Sequence, residues 1–217
     1  MQWVENWPAT VGWQLEYDLL YVENAMKTKF APWLLPVLLL AGAPVAQAHP
    51  GHGPADVASG FLHPFTGWDH LLAMLAVGMW AAQLGSRARW ALPSAFVGAM
   101  AVGAVVGIAG YAPHGVDGWI LASVLVLGLL LACAIRMPLR FGIGLVALAG
   151  FFHGAAHGAE MPFQADSLRF LSGMVVATAL LHSLGMAAGI LLGRKSPLLV
   201  RLAGAGVVAG GVALLLA

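Results

Sequence analysis

Beyond residue 59 the chain reads as six apolar runs with short polar punctuation. The runs cover about 60–84, 90–110, 119–135, 141–160, 167–193 and 198–217. Between them stand "GSRAR", "YAPHGVDG", "RMPLR", "MPFQAD" and "RKSP". The apolar stretches are long and do not alternate with a period of two, so the pattern predicts helices rather than strands. Connections this short join antiparallel neighbours directly. The expected fold is therefore all-α: a polytopic membrane protein built as a bundle of six transmembrane helices.

Upstream, residues 26–48 read "MKTKFAPWLLPVLLLAGAPVAQA". Lys27 and Lys29 make a positive start, Trp33 to Leu40 a short apolar core, and Ala46-Gln47-Ala48 an A-x-A cleavage site. That is the anatomy of a cleavable signal peptide, with a core too short to span a bilayer. Residues 1–25 do not belong to that anatomy and read as a start-site extension outside the fold, with Met26 as the initiator. Residues 49–59 then form a periplasmic, histidine-containing N-terminal segment, and 60–217 the membrane domain. Cleavage after Ala48 exposes His49 as an N-terminus, whose amine and ring nitrogen together chelate a metal. Pro50 blocks ligation through a deprotonated amide there, and His52 offers a third nitrogen.

Composition agrees with the pattern. Of 217 residues, 60% are hydrophobic and only 9% charged, against about 25% charged in ordinary soluble domains. Mean hydropathy is +0.86. Charge placement says more than the net value of +1. Arg87, Arg89, Arg136, Arg140, Arg194, Lys195 and Arg201 fall at one side of the six-span topology, and only Arg169 at the other. The positive-inside rule puts the basic loops in the cytoplasm and both mature termini outside, in agreement with the signal peptide. Asp56, Asp117, Glu160 and Asp166 gather at the outer ends, with Asp69 inside the first run. The single cysteine, Cys133, excludes an internal disulfide. No basic patch interleaved with aromatics points to nucleic acid, and no Walker A loop points to ATP.

The chemistry lies in polar residues within apolar runs. The first begins "GFLHPFTGWDHLL", which puts His63 and His70 seven apart, two turns along one face and about 10 Å apart on a continuous helix. Asp69, beside His70, either binds a cation or orients a histidine. An aspartate at a bilayer centre costs about 2.5–3.5 kcal/mol on insertion scales, so it needs a partner. The fourth run ends "FFHGAAHGAEMP", with His153, His157 and Glu160 at i, i+4 and i+7 on one stripe. Two neutral imidazoles and a carboxylate suit one divalent ion. Gly154, Ala155, Ala156, Gly158 and Ala159 add almost no bulk, so another helix can approach and add ligands to the same ion. His182, in "ATALLHSLG", lies deeper and reads as a second station or a packing hydrogen bond. The expected metal site is His63, Asp69, His70, His153, His157 and Glu160, with His182 deeper and His49 and His52 at the entrance. Spacing alone implies a divalent, nitrogen-loving cation.

"HPFTGWDHLLAMLAVGMWA" and "FHGAAHGAEMP" resemble the two signatures of the HupE/UreJ family of hydrogenase and urease accessory membrane proteins. The resemblance covers the mature chain from its N-terminal histidines through all six spans. It implies a secondary permease of the bacterial cytoplasmic membrane that imports Ni²⁺, or Co²⁺ in some members, for metalloenzyme maturation. It carries the H-x5-D-H pattern onto His63, Asp69 and His70, the H-x3-H-x2-E pattern onto His153, His157 and Glu160, and a fifth-span histidine onto His182. No organic cofactor and no catalytic residue is expected; the partners are the metal ion and membrane lipid. Rival readings are a zinc-dependent intramembrane hydrolase, for which Ser183 beside His182 is the suggestive feature, and a metal sensor or chaperone.

Overall fold

The computed structural model describes residues 56–85, 87–161 and 165–217. The signal peptide, the extension before it, His49 and His52 lie outside the described residues. Within them the regular elements are α1 (Val57–Leu62), a 3₁₀ turn (His63–Phe65), α2 (Trp68–Leu84), α3 (Ala88–Ile108), α4 (Val116–Ala132), α5 (Leu139–Ala159), α6 (Ala165–Lys195) and α7 (Pro197–Leu216). Every described element is helical. Helices α3 to α7 match the last five apolar runs to within three residues at each end.

The first run departs from the single helix its pattern predicts. Pro64 lacks an amide hydrogen and sits at the start of the 3₁₀ turn, and Gly67 is extended at φ −101°, ψ 120°. Helical hydrogen bonding stops there and restarts from the Gly67 carbonyl, which accepts from Leu71 N–H. His63 is therefore not two turns up a shared face from His70. The break folds it inward, and the two imidazole centroids are 6.0 Å apart. Upstream, α1 opens on a reciprocal cap: Asp56 accepts from the Ser59 amide at 2.7 Å, and Ser59 Oγ accepts from the Asp56 amide at 3.0 Å.

Close backbone contact pairs the helices. A methyl on Gly150, Gly154 or Gly158 of α5 would fall 2.3, 1.9 or 2.1 Å from the carbonyl oxygen of Phe96, Met100 or Ala104 on α3. Gly103 and Gly107 of α3 face the Phe151 and Ala155 carbonyls as closely. The two helices thus interlock along a two-sided glycine stripe. This revises one expectation. The small residues around His153 and His157 admit α3, which brings no histidine or carboxylate, rather than the ligand-bearing first segment. The α2/α6 pair interlocks likewise, through Gly78 against the His182 carbonyl and Gly185 against that of Leu75. A third pair, α4/α7, meets where Gly204 faces the Leu131–Ala132 backbone.

The core comprises Met74, Trp80, Leu92, Phe96, Met100, Leu127, Leu131, Met174 and Leu181, all essentially inaccessible. Outward-facing positions are also apolar: Val102, Val105, Leu148, Val176, Leu180, Leu184, Leu191 and Leu202 are exposed. A bundle apolar inside and out suits a lipid environment. Helices α3, α5, α6 and α7 are long and apolar enough to cross a membrane; α4, at 17 residues, is a shorter apolar helix. The chain is a multi-pass membrane protein.

The two ends of the bundle differ in chemistry. At one, Trp80 Nε1 donates to the Ile135 carbonyl at 3.1 Å and Arg201 Nε to the Ala132 carbonyl at 2.9 Å. These contacts tie α2 and α7 to the end of α4 and the α4–α5 connection, where Arg87 and Arg136 line one pocket. At the other, α1 packs on the first half of α6, where a methyl on Gly60 would meet the Phe170 carbonyl and one on Gly173 the Val57 carbonyl. The histidines cluster at this second end.

Candidate metal centre

Three elements deliver three imidazoles to one point: His63 from the 3₁₀ turn, His70 from the first turn of α2, and His157 from the last turn of α5. One ring nitrogen from each lies within 4.8 Å of the others. His63 Nε2 is 3.0 Å from His157 Nδ1, and His70 Nε2 is 2.5 Å from His157 Nε2. Imidazole nitrogens bind ions such as Zn²⁺ at about 2.0–2.1 Å, so donors opposite one another stand about 4 Å apart. The cluster spans little more than one coordination sphere. His70 and His157 are buried, with 9% and 3% of their surface exposed, and His63 is half-buried.

Asp69 sets the polarity of the cluster. Its Oδ1 lies 2.6 Å from His70 Nδ1 and 2.8 Å from the His70 amide nitrogen. An ionised carboxylate only accepts, so His70 Nδ1 carries the proton and Nε2 presents a lone pair. With neutral rings, His157 Nε2–H donates to His70, and His157 Nδ1 accepts from His63 Nε2–H. His70 and His157 then each give once and take once, and His63 gives to His157. A cation would be held by both Nε2 lone pairs only with His157 in its other tautomer, the ring proton on Nδ1. Gly67 makes room for the Asp69–His70 contact: a methyl there would lie 2.8 Å from Asp69 Oδ1 and 3.1 Å from His70 Nδ1.

The remaining expected ligands are placed differently. The His153 ring is 5.2 Å from that of His70, but its Nδ1 donates to the Ala149 carbonyl at 2.9 Å, and it lies deeper, fully buried. Glu160 is the C-cap of α5 and exposed at the rim. His182 on α6 is 1% exposed and packs edge-on against Phe96, centroids 5.0 Å apart. Phe96 also contacts His153 at 5.4 Å. Sequence reasoning missed Phe96, because one phenylalanine in an apolar run carries no signal. Only the i, i+4, i+8 succession of Phe96, Met100 and Ala104 opposite the α5 glycines marks the α3 face that contacts them. Ser183, adjacent to His182, is exposed and donates to the Ala179 carbonyl of its own helix at 2.8 Å.

Comparison with known proteins identifies the family. The family model described as HupE / UreJ protein matches residues 37–214. Protein HupE of Rhizobium leguminosarum bv. viciae is 41% identical over 177 residues, which cover 81% of this chain and 93% of that protein. No solved structure matches. The matched span takes in every histidine and carboxylate of the cluster, and the chain belongs to the HupE/UreJ family.

Proposed function

We propose that this chain is a secondary transporter that imports Ni²⁺, with Co²⁺ as an alternative substrate, across the bacterial cytoplasmic membrane to supply hydrogenase or urease maturation. The observation that carries this reading is the three-imidazole cluster backed by Asp69, at the end of the bundle opposite the arginines. In this reading the bundle spans the membrane six times, α1 and α2 together completing the first crossing, with the histidine end periplasmic. His49 and His52 capture the ion, Asp69 and Glu160 offset its charge, His63, His70, His153 and His157 ligate it, and His182 lies on the way inward. Imidazole and carboxylate suit Ni²⁺, while raw affinity favours Cu²⁺, so the geometry of the cluster must supply selectivity. An inside-negative potential contributes about 4.6 kcal/mol per divalent ion per 100 mV, twice the single-charge value.

The hydrolase alternative needs a nucleophile or a poised water beside the metal ligands. Ser183 points away from His182 and is bonded to its own helix, which favours transport. The deciding experiment is ⁶³Ni accumulation by cells expressing the chain, compared with His157→Ala and Asp69→Asn variants at equal membrane abundance. Accumulation well above empty-vector cells, lost in both variants, is the expected result. Background uptake by the wild-type chain rejects transport, and full uptake by the variants rejects the site.

A further inference from the structure

Three buried ring nitrogens in the described bundle have no hydrogen-bond partner: His153 Nε2 and both nitrogens of His182. Buried polar atoms are nearly always satisfied, so three on two neighbouring side chains call for a cause. His153 Nδ1–H is committed to the Ala149 carbonyl, which leaves Nε2 of the neutral ring as a free lone pair. His182, when neutral, likewise presents one. Both rings lie against Phe96. One turn beyond Phe96, the buried Met100 thioether is 3.7 Å from the Thr178 hydroxyl, and Thr178 is one turn before His182. Backbone interlocks hold all three elements. Gly150 and Gly154 press α5 onto Phe96 and Met100, and Gly78 presses α2 onto the His182 carbonyl.

We infer that His153 and His182, with the thioether of Met100, form a second metal station, separate from the outer cluster and serving the same late first-row divalent cation. The inference rests on the transport reading and assigns its inner step a ligand set. Two imidazoles and a thioether suit late, softer ions and discriminate against Mg²⁺ and Ca²⁺, which want oxygen. The station has no carboxylate of its own, whereas the outer cluster has Asp69. It therefore holds a doubly charged ion more weakly and releases it more readily, as an intermediate stop requires. Under this assignment His153 belongs to the inner station, and Met100 is a ligand as well as core filler.

The test is a Co²⁺ titration of the purified full chain in detergent, read by visible absorption and by bound metal per chain. Two classes of site are expected, the inner one at least tenfold weaker. His157→Ala should remove the tight class and keep the weak one. His182→Leu, apolar and similar in reach, should remove the weak class and keep the tight one. Met100→Leu, which conserves volume, should weaken the inner class several-fold and alter its absorption. A single class up to millimolar Co²⁺, or a weak class unchanged in His182→Leu, overturns the inference; the pair then holds water only. Binding decides this question while ⁶³Ni accumulation decides transport, so each can fail alone.

Discussion

His157 and His182 are equally buried yet live in opposite circumstances. His157 has a neighbouring imidazole on each ring nitrogen, and the chain of contacts ends on the Asp69 carboxylate. Among the described residues His182 has no partner on either nitrogen, and an aromatic edge lies beside it. The first environment is organised before any ion arrives, because each proton already has a donor and an acceptor. The second leaves polar atoms unpaired, which costs about 1–3 kcal/mol per group. Burial alone thus says little about a histidine in a membrane bundle; what satisfies its nitrogens separates a prepared site from a vacant need.

The largest effect expected along this contrast comes from His157→Ala, which removes the ring that touches both other imidazoles. Ni²⁺ affinity at the tight site should fall by at least a hundredfold in equilibrium dialysis, and a tenfold loss or less would show that His63 and His70 suffice. Asp69→Asn keeps the shape but ends the forced tautomer of His70. Its expected cost is about 10–100-fold in affinity, as for other residues that orient a metal-binding histidine. Gly67→Ala should give a smaller loss of a few-fold, because its methyl displaces the Asp69 carboxylate rather than deleting it. His182→Leu should instead show its effect on stability. With the unpaired nitrogens gone, the metal-free protein should melt about 2–4 °C higher, the shift that about 1 kcal/mol produces in a chain of this size. An unchanged or lower melting temperature would mean that those nitrogens are satisfied.

The smallest effect lies at the rim. The Ser59 amide donating to Asp56 holds its carboxyl below the usual 3.8. A lowered folded-state pKa contributes stability that is present above 3.8 and lost as pH falls through the folded value. Hydrogen exchange in α1 should therefore quicken on acidification below about pH 3.8, measured against the intrinsic rate, and Asp56→Asn should remove that dependence.

Most of the bundle was legible because long apolar runs leave few alternatives, and α3 to α7 fall where the pattern puts them. The i, i+4 spacing put His153 and His157 on α5, with Glu160 as its C-cap, but could not reveal their depth. About one turn of helix separates His157, at the cluster, from His153 beneath it. The first segment was misread because "HPFTGW" fits both a helical first turn and a break. Only packing of α1 on α6 through Gly60 and Gly173 decides between them. The glycine stripe was read as permission for close approach, which it is, but nothing in a stripe names the helix that takes the place.

The interlocked pairs give the outer cluster a mechanical meaning. His70 belongs to the α2/α6 pair and His157 to the α3/α5 pair, each fastened within itself by carbonyl-to-glycine contact. The two pairs meet each other far less extensively. An ion ligated by both histidines is therefore a clasp across a seam. Without an ion, the hydrogen bond between His70 and His157 is what joins the pairs at that level.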